Sequence, residues 1–379
     1  MKPIELQQRI SRVAFAFRGY NITNLGRTVE LLAHPLYGPI VQKHLDQASV
    51  ACAEMIGQHV DLPARVREGR ETNLDEYPQA VALIAGMAQA HLACLEGYFN
   101  VKYREARLAF GYSLGEISAV AASSIIDWSE TLRIPLSLAQ DCAALAHDVK
   151  LGVLFSRGRM IPVNIVKLLC LEINHEGRGV IGISARLSPN TLLLMGQGDT
   201  LARFKDRMHG ALPEQMHLRP NSHIFPPMHT PIVWERCIPN RAGMLMHTLK
   251  GNFGTPEPQV FSLVTGRTDY SELTARDILQ RWTDHPQLLW EAVQETLNRG
   301  IEIVIHVGPE PNLIPATYKR LSENVESATR ARFGMRAMQA VARQSWLSAI
   351  LPESASLLRA PLIRHIILED WLLEHAPQK

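Results

Sequence analysis

Ser113 sits in Gly111-Tyr112-Ser113-Leu114-Gly115, a Gly-x-Ser-x-Gly pentapeptide. Those residue types at that spacing suit nucleophilic catalysis. A serine on so tight a strand-to-helix turn needs small flanking residues, or side chains collide. Its oxygen then stands above the strand end, and the following helix aims free amides at a forming oxyanion. The flanks fit: apolar Leu108-Ala109-Phe110 runs in, and the small-residue stretch Ile117-Ser118-Ala119-Val120-Ala121-Ala122 runs out. A plain Gly/Ser turn would use the same letters, but the context on both sides favours a nucleophile. A serine hydroxyl is inert at neutral pH unless a base takes its proton. Two downstream histidines are candidates: His223 in Asn221-Ser222-His223, and His229 in Met228-His229-Thr230-Pro231, 116 residues after the serine.

The elements that must position these groups follow from the apolar spacing. Residues 13–17 are a buried first strand with a loop after Arg18-Gly19. Residues 28–60 carry helical spacing, broken near Pro35 and Gly38, and 63–76 read as a charged loop. A strong apolar helix spans 78–98, and 117–147 is helical, with Pro135 as its expected break. From about 150 to 220 the pattern changes to strand, helix, two strands and helix. That order suggests a small α+β unit inserted into a larger α/β domain. The larger unit resumes with strands at 260–266 and 301–309 around a helix at 290–299.

Bulk properties narrow the class. The 379 residues are 46% hydrophobic and 20% charged, which describes a packed globular chain. A net charge of +2 gives no argument for a nucleic-acid partner. Five cysteines without a Cys-x-x-Cys pair suggest neither a disulfide framework nor a metal knuckle, and a reducing cytoplasm is expected. The longest apolar stretch, 80–95, is interrupted by Gln89 and His91 and reads as a buried helix, so no membrane span is expected.

The elbow, then Met228-His229-Thr230-Pro231, Ser262-Leu263-Val264-Thr265-Gly266, the stretch from Trp282 to Trp290, and His306-Val307-Gly308-Pro309 form an ordered series. From about residue 12 to 320 it resembles the acyltransferases of fatty-acid and polyketide synthesis, of which malonyl-CoA:acyl-carrier-protein transacylases are best known. The resemblance implies an α/β fold: an α/β-hydrolase-like large subdomain (1–149 and 221–321) carrying an inserted ferredoxin-like small subdomain (150–220). A helical C-terminal extension (322–379) would follow. It implies a seryl ester formed by Ser113 with His229 as base, favoured over His223 by its flanks. The backbone carbonyl of Trp282 would orient the imidazole, and the amides of Leu114 and Tyr20 would hold the oxyanion. The substrate is implied to be an acyl-CoA or a phosphopantetheine thioester, the partner an acyl carrier protein, and no metal or permanent cofactor is needed.

The departures from the family bear on specificity. The loop after the first strand is Gly19-Tyr20-Asn21-Ile22-Thr23 in place of a Gly-Gln-Gly-Ser-Gln type, and Tyr112 precedes the nucleophile where histidine is common. Malonyl-specific members carry an arginine about 25 residues after the serine, and Leu138 stands there. A carboxylate without that partner forfeits charge-assisted hydrogen bonds worth about 1.5–3 kcal/mol. The expectation is therefore a non-carboxylated acyl group in a pocket shaped by Leu138, Met228 and Tyr112, with rescue by Arg133 or Arg186 disfavoured. Lys150, Arg157, Arg159, Arg203, Lys205 and Arg207 are candidates for a carrier-docking face. Residues 330–346 suggest a basic amphipathic helix, and 357–373 carry further helical spacing. The alternatives are an acyl-thioester hydrolase, an ordinary malonyl transacylase, or a non-catalytic carrier-binding scaffold.

Overall fold

The computed structural model describes residues 1–251, 253–330 and 355–377. Among them the strands are β1 (Val13–Phe17), β2 (Leu108–Gly111), β3 (Val149–Ser156), β4 (Ile181–Ser188), β5 (Thr191–Gln197), β6 (Met216–Pro220), β7 (Val260–Phe261), β8 (Gln287–Leu288), β9 (Ile303–Val307) and β10 (Arg364–Ile367). Five of them form a parallel sheet in the order β10-β9-β1-β2-β7. Every residue of β1, β2 and β9 is buried. An unbroken apolar run is what a central parallel strand needs, because helices cover both of its faces. One covering helix, Tyr77–Phe99, is apolar and long enough by composition to cross a membrane, yet it lies in the core against the helix Gly38–Ile56. This is the α/β-hydrolase-like large unit.

The second sheet runs β6-β3-β5-β4-β8. β3, the helix Val163–His175, β4, β5, the helix Thr200–Ala211 and β6 follow one another, and their strands pair antiparallel. This β-α-β-β-α-β order with its 4-1-3-2 strand arrangement is the ferredoxin-like pattern. β6, unread in the sequence, closes it. β8 arrives from the large unit and pairs parallel to β4, with Gln287 opposite Ala185. The small sheet is therefore sewn to the large unit at its β8 edge.

Four local expectations change. The start of the 63–76 stretch, read as loop, belongs to a helix, Leu62–Arg67, capped by the Asp61 side chain, which accepts from the Ala64 N–H. The break expected at Pro135 falls instead at 123–127, between the helices Leu114–Ala122 and Trp128–Ala146, and Pro135 stays inside the second. The 260–266 strand shortens to β7. The segment expected to be a helical extension contributes β10, which pairs with β9 and so belongs to the large sheet; the short helix Leu368–Glu374 follows it. Apolar spacing there served burial on a sheet edge as well as on a helix. The basic amphipathic helix expected at 330–346 falls on Arg330, whose side chain is not described, and on positions outside the described residues.

Candidate active site

β2 ends at Gly111, and the helix Leu114–Ala122 begins one residue past Ser113. Ser113 occupies the turn between them at φ 54° and ψ −119°. A non-glycine residue there is strained by about 1–3 kcal/mol, so its surroundings must hold it. Gly111 and Gly115 make the turn tight: a Cβ on Gly111 would run into the Gly115 backbone, and one on Gly115 into the carbonyl of Phe17. The central strand β1 thus passes directly beneath the elbow.

His229 is also held at positive φ, 68°. Its Nε2 lies 2.7 Å from Ser113 Oγ, and its Nδ1 lies 2.7 Å from the carbonyl oxygen of Trp282. A carbonyl only accepts, so Nδ1 carries the proton and Nε2 is left to accept from the serine hydroxyl. Burial pushes the imidazole down to about 4, partly offset by the Trp282 carbonyl and by Asp284. At neutral pH it is an uncharged base. His223, the other candidate, is exposed, does not line the cleft that holds Ser113 and His229, and lies on the larger groove that adjoins it.

Two further side chains reach Ser113, and neither was legible in the sequence. The indole Nε1–H of Trp282 donates to the Ser113 carbonyl at 3.0 Å. The Ser113 N–H donates to Gln287 Oε1 at 3.0 Å, which leaves Gln287 Nε2 3.3 Å from His229 Nδ1. The His229 N–H donates to the carbonyl of Thr283 at 2.7 Å. A glutamine just after Pro286 matches no motif, and the indole was passed over because only the carbonyl at that position carried an expectation.

A cleft of about 460 Å³ opens above Ser113 and His229. Tyr20, Tyr77, Tyr112, Phe225 and Met228 line it from the large unit, and Leu151, Val153, Leu193 and Met195 from the β3/β5 face of the small sheet. Leu114 opens the helix, and its N–H is among the first-turn amides that have no carbonyl a turn earlier to bond. Tyr20 lies on the cleft wall after β1, edge-on to Tyr77. A larger groove of about 1550 Å³ continues from the cleft, shares Val153, Thr191, Asn221 and Arg320 with it, and is lined by Arg157, Arg219 and His217.

Leu138 requires a correction. It is buried in the core cluster that also holds Tyr77 and Met228, and it is not among the residues that line the cleft. Counting residues along a helix fixes the position but not the direction in which its side chain points. Among the described residues the cleft wall carries two cations, Arg18 and Arg320. Arg18 is buried and bonds the carbonyls of Gly19, Thr23, Pro309 and Glu310 and the side-chain oxygen of Asn24. Those contacts use all five guanidinium donors. Burial also brings Arg18 down to about 10, partly offset by Glu310, Glu369 and Glu71. Arg320 is exposed at the mouth. Arg133 pairs with Glu130 and Arg186 with Glu291, and neither lines the cleft. Of the docking candidates, Arg203 and Arg207 are committed to Glu176, while Arg157 faces the larger groove.

Comparison with known proteins adds the fold. No family model matches the sequence, and no curated protein matches it. Solved structures do match. FabD from Acinetobacter baumannii is 15% identical, with a TM-score of 0.63 over 82% of this chain and 91% of that one. The malonyl-CoA:acyl carrier protein transacylase of Xanthomonas oryzae is 19% identical, with a TM-score of 0.61 over 82% and 91%. A malonyl-transacylase solved with the acyl-carrier protein of a type II polyketide synthase is 19% identical, with a TM-score of 0.61 over 81% and 92%. The resemblance read from the motifs therefore extends to the three-dimensional fold.

Proposed function

We propose that this chain is an acyltransferase that moves an acyl group from a CoA or carrier-protein thioester to an acyl-carrier-protein thiol through an ester on Ser113. The observation that carries the reading is the aligned chain from Ser113 Oγ to His229 Nε2 and from His229 Nδ1 to the Trp282 carbonyl. In the first half-reaction the serine oxygen attacks the thioester carbonyl while its proton passes to His229 Nε2. The amides of Leu114 and Tyr20 receive the oxyanion. Collapse breaks the C–S bond, and the imidazolium protonates the leaving thiolate. In the second half-reaction a carrier thiol gives its proton to His229, attacks the seryl ester and restores Ser113. The Trp282 carbonyl keeps the tautomer correct throughout, as an aspartate would elsewhere. No metal is required at any step.

The same reading assigns catalysis to the large unit (1–149 and 221–321) and part of the substrate wall to the small one (150–220). It assigns an uncharged acyl group, and the support differs from the sequence argument. Leu138 is away from the cleft, but Arg18 has no donor left for a carboxylate and Arg320 is solvated at the mouth. A malonyl carboxylate inside the cleft would lose its hydration without gaining a charged partner, and that is costly.

The test is intact-protein mass after incubation with malonyl-, acetyl- and longer acyl-CoA thioesters, on wild type and on Ser113→Ala. Uncharged acyl adducts on wild type, absent from the variant, are expected. A dominant malonyl adduct would remove the specificity assignment and keep the transfer chemistry. Adducts that persist in Ser113→Ala would sink the reading. An adduct that passes to water in the presence of carrier protein would identify a thioester hydrolase on the same fold.

A further inference from the structure

We infer that the side chains of Trp282 and Gln287 are positioning residues that fix Ser113 in its reactive backbone conformation, so that one six-residue segment sets nucleophile and base together. The inference rests on the reading of Ser113 as nucleophile. Both reacting residues sit at positive φ, and the segment 282–287 holds each of them at two points. Ser113 gives its N–H to Gln287 Oε1 and receives the Trp282 indole N–H on its carbonyl. His229 gives its backbone N–H to the Thr283 carbonyl and its Nδ1–H to the Trp282 carbonyl.

Gln287 is fully buried and lies on β8, where Ala185 of β4 pins its backbone. The Ser113 amide can only donate, so the carboxamide must turn its oxygen to Ser113 and its nitrogen toward His229. Nδ1 already spends its proton on Trp282, so the Gln287 nitrogen beside it faces another donor. That contact opposes a positive charge on the imidazole and does not assist one. The Gln287 oxygen therefore holds the elbow, and its nitrogen helps to keep the base neutral.

The test uses Gln287→Met, Gln287→Glu and Trp282→Phe in the full chain, with Ser113→Ala as control. Phenylmethylsulfonyl fluoride is the probe. The serine oxygen displaces fluoride from sulfur and its proton passes to the base, so the rate reports nucleophile activation without any acyl substrate. Methionine keeps the length of glutamine but offers no comparable acceptor to the Ser113 amide. Labelling of Gln287→Met and Trp282→Phe should slow roughly tenfold at a temperature where both variants remain folded, with the melting temperature lower by a few degrees because a Ser113 backbone group loses its partner. Glutamate keeps the acceptor and should recover most of the rate. It also brings a carboxylate beside His229, which should move the acid limb of the labelling profile up by roughly one pH unit or more.

An unchanged rate in Gln287→Met and Trp282→Phe overturns the inference. So does a loss that follows the melting temperature while the acid limb of Gln287→Glu stays in place, because that is a purely structural role. Labelling of wild type without any acyl adduct would remove the transfer reading and leave this one standing. Wild type that neither labels nor forms an acyl adduct removes both.

Discussion

His229 is a base whose ordinary range has been shifted by where it sits. Burial brings it to about 4, and a histidine with that value is neutral across the whole physiological range. Under the proposed function the sign is direct: protonation blocks Nε2 from accepting the serine proton, so transfer is lost as pH falls through the lowered value. The rate of Ser113 acylation at low donor concentration should hold from neutrality down past pH 6.5 and fall only near 4. A fall centred near 6.5 would show that the imidazole is solvated in the working enzyme. At this scale the sequence was partly transparent. Ser113 declared itself by its glycines, and His229 and the Trp282 carbonyl by their order and flanks; the structure brings all three within hydrogen-bond reach. Gln287 and the Trp282 indole stayed hidden because one glutamine or one tryptophan carries no spacing. Leu138 misled because a count along the chain says nothing about which way a side chain faces.

Elements are tied together here by buried polar groups as well as by apolar packing. Glu116, on the helix after the elbow, accepts the Leu263 N–H at 3.1 Å and the Tyr270 hydroxyl at 2.8 Å, and so binds that helix to the turn after β7. Burial raises its carboxyl to about 7, partly offset by hydrogen bonds from Ser262, Tyr270 and the Leu263 amide. An acid with a raised folded value holds its proton more tightly when folded. Its stabilising effect is complete below about 4.5 and is lost as pH rises through about 7. Glu116→Gln imitates the protonated form. Its melting temperature relative to wild type should therefore rise between pH 5 and 8, and thermal scans across that window decide it; a constant difference would show that Glu116 does not titrate there. Element existence was legible wherever apolar runs were long, as in β1 and in the helix Tyr77–Phe99. Boundaries were less so. Pro135 looked like a break, but 123–127 ends one helix and begins the next. The C-terminal apolar spacing fits a helix and a sheet edge equally, and only the exposed edge of β9 chose between them.

The molecule closes its large sheet with distant pieces of chain. β10 and the helix Leu368–Glu374 bury Ile366, Leu368, Trp371 and Leu372, and the Trp371 indole donates to the Met1 carbonyl at 2.9 Å. Each such side chain contributes about 1.5–3 kcal/mol, so together they rival the roughly 5–15 kcal/mol that holds a whole domain. A chain ended after residue 354 should accordingly fail to give a folded monomer, as read by circular dichroism and size-exclusion chromatography. A folded, Ser113-reactive truncation would show that the segment is dispensable.

The placement of β1 has a consequence for synthesis on the ribosome. Val13 pairs with Ile303, 290 residues later in the chain. At about 5–20 residues per second, this wholly apolar strand waits roughly 15–60 seconds for that neighbour. Throughout this interval a fully apolar strand is translated but cannot be completed. The nascent chain therefore presents a sustained target for holding chaperones, and slowing translation would lengthen that exposure and not relieve it.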